Sequence, residues 1–160
     1  MIASFLESIR YVGHMWPLAL VRIFLGFQAV SKVFERVQAG YLEHPYISER
    51  LNLTEGPQIA FGIYFEIFKS VIQSQWLLMT YVLLALEMIV GISYILGLGV
   101  RIASLIGMIL SLHIYLYFEF ASSPGQIYLF YIHVLFCLLG AGRCLGLDFY
   151  FYKSRRGLLW

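Results

Sequence analysis

Four stretches of this chain stay almost wholly apolar for about the 20 residues that a bilayer-crossing helix requires: residues 16–34, 76–97, 100–120 and 126–142. The connections after the second and third are short. Gly97-Leu98-Gly99 permits a tight antiparallel turn, and Ser122-Ser123-Pro124-Gly125 is a turn of equal economy. Short connections make sequential helices neighbours. The pattern therefore predicts an all-α fold, an integral membrane four-helix up-down bundle, with residues 1–160 forming a single integral membrane domain.

Between the first two spans, over residues 35–75, the pattern changes twice. Residues 35–57 are polar and turn-rich, punctuated by His44-Pro45 and Gly56-Pro57. From 58 to 75 a helical period takes over. Gly62, Glu66, Lys69, Ser70 and Gln73 share one face, and Phe61, Tyr64, Phe65, Phe68 and Ile72 share the opposite one. This predicts an extra amphipathic interfacial helix between the first and second spans, with Pro57 near its first turn and Trp76 as its interfacial anchor. A lid packed on the bundle satisfies the same pattern. Within the third span, Ala103, Gly107 and Ser111 form a small-residue stripe suited to close helix packing. Asn52-Leu53-Thr54 fits a glycosylation sequon, a pattern short enough to arise by chance.

Composition agrees with a membrane setting: 61% of residues are hydrophobic, 12% are charged, and the mean hydropathy is +0.79. A net charge of +2 with no basic stripe excludes nucleic acid as a partner class and leaves membrane lipid and other membrane proteins. Cys137 and Cys144, seven apart, spell neither a dithiol motif nor a zinc site and are expected as buried, inert thiols. Residues 1–15 carry Glu7 and Arg10 and no small-residue cleavage site, so the first helix is expected to serve as its own insertion signal. Basic residues concentrate in the 143–160 tail, which places both termini in the cytoplasm and lets Lys153, Arg155 and Arg156 meet anionic headgroups.

Against that apolar background, charge is costly, and an ionisable group in hydrocarbon marks a site by default. Nine such residues lie in or at the ends of the spans: Arg22, Lys32, Glu87, Arg101, His113, Glu119, His133, Arg143 and Asp148. Measured by helical rise, Arg22 lies about 9 Å and Glu87 about 15 Å from the cytoplasmic edge on antiparallel helices, so the two are expected to pair in the interior. That pair is either a register-fixing staple or the polar floor of a ligand cavity. Lys32 and Glu119, near the outer face, either meet or snorkel separately to headgroups. His113 and His133 come out at nearly equal height, about 18 to 20 Å from the same edge. Facing histidines suit haem ligation, a metal, or a hydrogen bond to a quinone carbonyl; tyrosine- or backbone-bonded structural histidines are the bland alternative. One pair without glycines clearing room for a porphyrin disfavours haem, and no metal site or cofactor is encoded outright. Gly140-Ala141-Gly142-Arg143 reads as a helix end whose terminal carbonyls Arg143 satisfies, with Asp148 offsetting its charge.

Taken in order, Leu20-Val21-Arg22-Ile23-Phe24-Leu25-Gly26, Lys32, Glu87 ahead of Val90-Gly91-Ile92, Leu96-Gly97-Leu98 leading to Arg101, and Gly140-Ala141-Gly142-Arg143 with Asp148 resemble the DoxX family of small prokaryotic membrane proteins. The resemblance spans nearly the whole chain outside residues 35–75. Ser31, beside Lys32, and the long outer insertion depart from the family pattern. The resemblance implies a four-helix subunit of the cell membrane, working with protein partners in quinone-linked sulfur oxidation, with thiosulfate as donor. Two function classes follow: a redox-linked subunit that binds a polar-headed lipophilic ligand through Arg22, Glu87, His113 and His133, or a non-catalytic subunit that anchors a larger membrane assembly, with Lys32, Arg101, Glu119, Arg143 and Asp148 as a structural charge network. A small-molecule carrier gains only from the buried charges, since no repeat or broken helix is evident.

Overall fold

Trp16 and Pro17 open the first helix, α1 (Trp16–Gln38), where proline in the first turn costs no hydrogen bond. The computed structural model to which it belongs describes residues 15–47, 49, 62–115 and 125–155. Helices α2 (Gly62–Ser74), α3 (Trp76–Leu96), α4 (Val100–Ile114), α5 (Gly125–Leu139) and α6 (Asp148–Arg155) follow among the described residues, with a 3-10 turn at Ala141–Arg143. Among the described residues there is no strand. The protein is all-helical, and α1 and α3 are long and apolar enough to cross a membrane by length and composition; α4 and α5 are apolar but shorter.

Two glycines in the left-handed region end helices. Gly97 takes a left-handed conformation (φ 64°) and closes α3, its N–H donating to the Ser93 carbonyl. Gly140 (φ 62°) ends α5 by the same device, which replaces the expected α-helix through 142 with the 3-10 turn. At the other end of the scale, α1 runs on to Gln38, beyond the expected boundary at 34.

Helix α1 packs on α3, α3 on α4, and α4 on α5. Register can be read from close approaches. A Cβ placed on Gly26 would lie 2.8 Å from the Gly91 carbonyl oxygen, and one on Gly91 would lie 2.7 Å from Val30. These glycines bring α1 and α3 together backbone to backbone, antiparallel, with position 22 level with the α3–α4 turn. Gly107 of α4 lies under His133 of α5, and Gly140 lies under Arg101, so that pair is antiparallel as well. The small-residue stripe thus faces inward, and Ala103, Ser104, Gly107 and Ser111 are all buried. Helix α2 packs on α3, with Ile72 buried and Ile67 exposed. Phe61, the sequon at Asn52, the 122–124 turn and Glu119 lie outside the described residues, as do the side chains of Tyr64, Phe65 and Phe68.

The apolar interior also encloses polar and charged groups. Its core of Val90, Tyr94, Val100, Ala103, Phe136 and Ala141 is joined by buried Arg22, Thr80, Ser104, Ser111, His133 and Asp148. Meanwhile Phe24, Tyr128 and Leu138 stand 66%, 62% and 70% exposed.

Candidate functional site

Two polar assemblies occupy the interior. One, at the end of the molecule where α1 begins, is a latch. The Arg22 guanidinium is wholly buried and donates from Nη1 to the carbonyls of Ala141 (2.7 Å) and Cys144 (3.2 Å) and from Nη2 to that of Leu145 (2.9 Å). Gly97 and Gly146 press on it closely enough that a Cβ on either would come within 2.9 Å of Nη1. Leu145 adopts φ 51°, unusual for a residue with a side chain, and its carbonyl is one of the three that Arg22 holds.

Asp148 completes the latch. Its Oδ1 accepts from the Gly99 amide (2.6 Å) and its Oδ2 from the Val100 amide (3.1 Å), so the carboxylate caps the positive end of α4. Backbone bonds from Leu147 to Leu96 and from Asp148 to Gly97 tie the tail across the α3–α4 turn. Burial pushes the Asp148 carboxyl above its usual range, opposed by the two amides and by the Arg22 and Arg143 charges. Burial likewise raises the Cys144 thiol, with Arg22 opposing.

The second assembly is a cavity of about 80 Å³ between α1, α3, α4 and α5, several times the roughly 10–15 Å³ that one water needs. Lys32 and Arg36 from α1, Glu87 and Tyr94 from α3, Ser111 from α4, and Gln126 and His133 from α5 supply its polar lining. Arg36 and Glu87 form an ion pair across it. Among the described residues, the side chains of Lys32 and Gln126 have no hydrogen-bond or ion-pair partner. Deeper in, the Tyr94 hydroxyl lies 2.5 Å from His133 Nδ1 and 3.1 Å from Ser104 Oγ, which itself donates to the Val100 carbonyl (2.6 Å). Leu25, Val90, Leu110 and Leu129 make the rest of the wall apolar. Such a chamber suits a molecule with a polar head and an apolar body.

Several expected pairings are redrawn. Arg22 does not meet Glu87. In a helix the side-chain stem tilts toward the N-terminus, so Arg22 reaches down to the free carbonyls after α5, and Arg36 and Glu87 tilt toward each other from their antiparallel helices. Arg22 and Arg36 start about 21 Å apart along α1, which separates the two charge systems. Nor do the histidines face each other. His113 stands six residues beyond Gly107, about 120° round α4 from the His133 contact. It lines a different, apolar cavity with Ile72, Met79 and Leu86, and its Nδ1 lies 2.9 Å from the Ile109 carbonyl. The paired-histidine geometry that haem ligation needs is therefore not made. The terminal carbonyls assigned to Arg143 are taken instead by Arg22, from the opposite end of the sequence, and the Arg143 guanidinium lies 4.2 Å above the Tyr152 ring. Arg101 packs over Gly140, Lys32 lines the cavity, and Cys144 is buried while Cys137 is only partly so.

Arg36 and Tyr94 escaped the sequence reading, although both carry a signal. Arg36 follows Lys32 by four residues and Tyr94 follows Glu87 by seven, so each shares a face with a charge already singled out. Among the described residues, no three His, Cys, Asp or Glu side chains converge to hold a metal ion. No protein-family model, curated protein or solved structure matches this chain.

Proposed function

We propose that this chain is a multi-pass membrane protein, a four-span up-down bundle with α2 at the outer interface and both termini in the cytoplasm of a prokaryote. In this reading its interior cavity holds the polar head of a lipophilic ligand. The observation that carries the reading is the apolar exterior of the long helices, together with the charged groups enclosed between them. Only 22% and 28% of the apolar windows of α1 and α3 are buried, whereas the core helix of a soluble protein is mostly buried. Large apolar side chains face outward, and the best-buried groups include an arginine and an aspartate. Hydrocarbon outside and satisfied polar groups inside is the arrangement a bilayer selects. Arg22 also argues against α1 being a removable leader, because its guanidinium holds carbonyls about 120 residues away.

The ligand is of the quinone type, and the protein serves as a DoxX-like subunit of a quinone-linked redox complex. Supporting this, motif residues scattered over the sequence, namely Arg22, Gly97, Arg101, Gly140 to Arg143 and Asp148, converge on one end of the molecule. The cavity sets donors and an aromatic hydroxyl beside apolar walls, which a ring with oxygen substituents and a hydrocarbon tail would fill. A partner subunit would carry the electrons. The latch independently favours a second role, that of a rigid integral subunit stabilising a larger assembly, because among the described residues its buried guanidinium bonds to backbone carbonyls.

The two are separated in host membranes carrying Glu87→Gln or His133→Ala. Loss of quinone-dependent activity with the assembly intact supports the ligand reading. Unchanged activity with the assembly intact overturns it, and loss of the assembly itself favours the stabilising role.

A further inference from the structure

His133 settles which hydrogen-bonding sense the cavity offers, once each hydroxyl proton is assigned. Ser104 Oγ lies 2.6 Å from the Val100 carbonyl, which has no proton to give, so the serine proton is there. Ser104 can then only accept from Tyr94, and the phenolic proton points at Ser104 across 3.1 Å. Tyr94 has no second proton. Its 2.5 Å contact with His133 must therefore be made by a proton on Nδ1, with the phenolic oxygen accepting.

The imidazole is fixed in place as well as in tautomer. It lies over Gly107, where a Cβ would come within 2.6 to 2.8 Å of Cε1, Nδ1 and Nε2, so the ring packs directly on the α4 backbone. No carboxylate contacts the ring among the described residues, and the species this site accommodates is a neutral imidazole with one N–H and one lone pair. The N–H is spent on Tyr94. Among the described residues the lone pair on Nε2 has no protein partner, and His133 lines the cavity.

We infer that the cavity selects a head group that donates a hydrogen bond to His133 Nε2, a phenolic or quinol-type hydroxyl, and discriminates against the same ring bearing only carbonyl or ether oxygens. This rests on the ligand-cavity reading and narrows it: where the sequence pattern suggested a histidine donating to a quinone carbonyl, the hydrogen-bond chain makes that histidine an acceptor. Lys32 and Gln126, with no partners of their own among the described residues, supply donors for a further oxygen on the ring. Tyr94 acts here as a positioning residue, because its oxygen is what holds the Nδ1 proton in place.

The test uses detergent-solubilised full-length protein and two probes of nearly equal shape, para-hexylphenol and its methyl ether, titrated by calorimetry. Nitrogen NMR of histidine-labelled protein reads the tautomer, with His133→Leu used to assign the signal. The expected result is a proton on Nδ1 of His133 and tighter binding of the phenol by about tenfold or more. Tyr94→Phe removes the acceptor that holds this tautomer and should bring the ratio of phenol to ether affinity toward one. Equal or tighter binding of the ether, a proton on Nε2, or an unchanged ratio in Tyr94→Phe overturns the inference while leaving the ligand cavity standing. Failure of both probes to bind defeats the cavity reading itself, and this inference with it.

Discussion

Arg22 and Ala141 stand 119 positions apart in sequence, yet Nη1 of the first lies 2.7 Å from the carbonyl oxygen of the second. With Cys144 and Leu145 adding their carbonyls, one side chain from the first helix closes the end of the last apolar helix. Lysine has the charge but not the planar fork that reaches several acceptors at once. Arg22→Lys should destabilise the fold by about 2 kcal/mol and Arg22→Ala by about 3–5 kcal/mol, since charged hydrogen bonds are lost and buried carbonyls are left unpaired. Reversible unfolding in mixed micelles checks both, and equal stability of Arg22→Ala and wild type would refute the latch.

Cys144 reports on the same latch chemically. It is 1% exposed, and burial raises its thiol, so little thiolate is present at neutral pH. In a Cys137→Ser background, Cys144 should resist N-ethylmaleimide in the folded protein and react readily once unfolded. Arg22→Ala should speed its modification by roughly tenfold or more, because opening of the turn exposes the sulfur. Labelling followed by intact-mass measurement reads the rate.

Gly107 is required by the ring above it. Adding a methyl there forces α4 and α5 apart or displaces His133, an overpacking that costs about 1–3 kcal/mol. Gly99, by contrast, has open space around its Cβ position but a left-handed backbone (φ 62°), so Gly99→Ala should cost only about 1 kcal/mol. Parallel unfolding of the two variants compares packing with backbone strain directly, and an equal cost would show that the His133 contact carries no weight.

Asp148 predicts a pH dependence with a definite sign. Burial raises its carboxyl despite the Gly99 and Val100 amides and the Arg22 and Arg143 charges. The folded state then holds this proton more tightly than the unfolded state. The group's contribution is fully present below the unfolded carboxyl value and is lost as pH rises through the raised folded value. Relative to Asp148→Asn, which does not titrate, wild type should lose stability as pH rises through that window and level off above it. Micelle unfolding between pH 4 and 8 measures the difference, and a wild type that gains on Asp148→Asn as pH rises would reverse the assignment.

Much of the helical plan was legible because single residue types decide it. Gly97 ends a helix where the sequence places it, Gly140 ends α5 ahead of the expected boundary at 142, and the stripe at Ala103, Gly107 and Ser111 faces inward as close packing demands. The partners of the charges were less legible. Helical rise gave the height of Arg22 and Glu87 but ignored the tilt of side chains toward each helix N-terminus, which carries Arg22 one way and Glu87 the other. His113 and His133 matched in height and failed in azimuth, a quantity that needs the packing face of α4 to be known first. Arg22's true partners are backbone carbonyls, which no side-chain pattern records. Tyr94 carries no charge to single it out, although its seven-residue spacing from Glu87 places it on the cavity face.

Native mass spectrometry of the protein released from host membranes in mild detergent tests the central claim most directly, because it weighs whatever the cavity retains. The account predicts one lipophilic adduct per chain on the wild type, carrying a hydroxylated ring, and its loss from folded Lys32→Ala and His133→Leu variants. A chain that comes out with no adduct, or one whose adduct survives both substitutions, would contradict it.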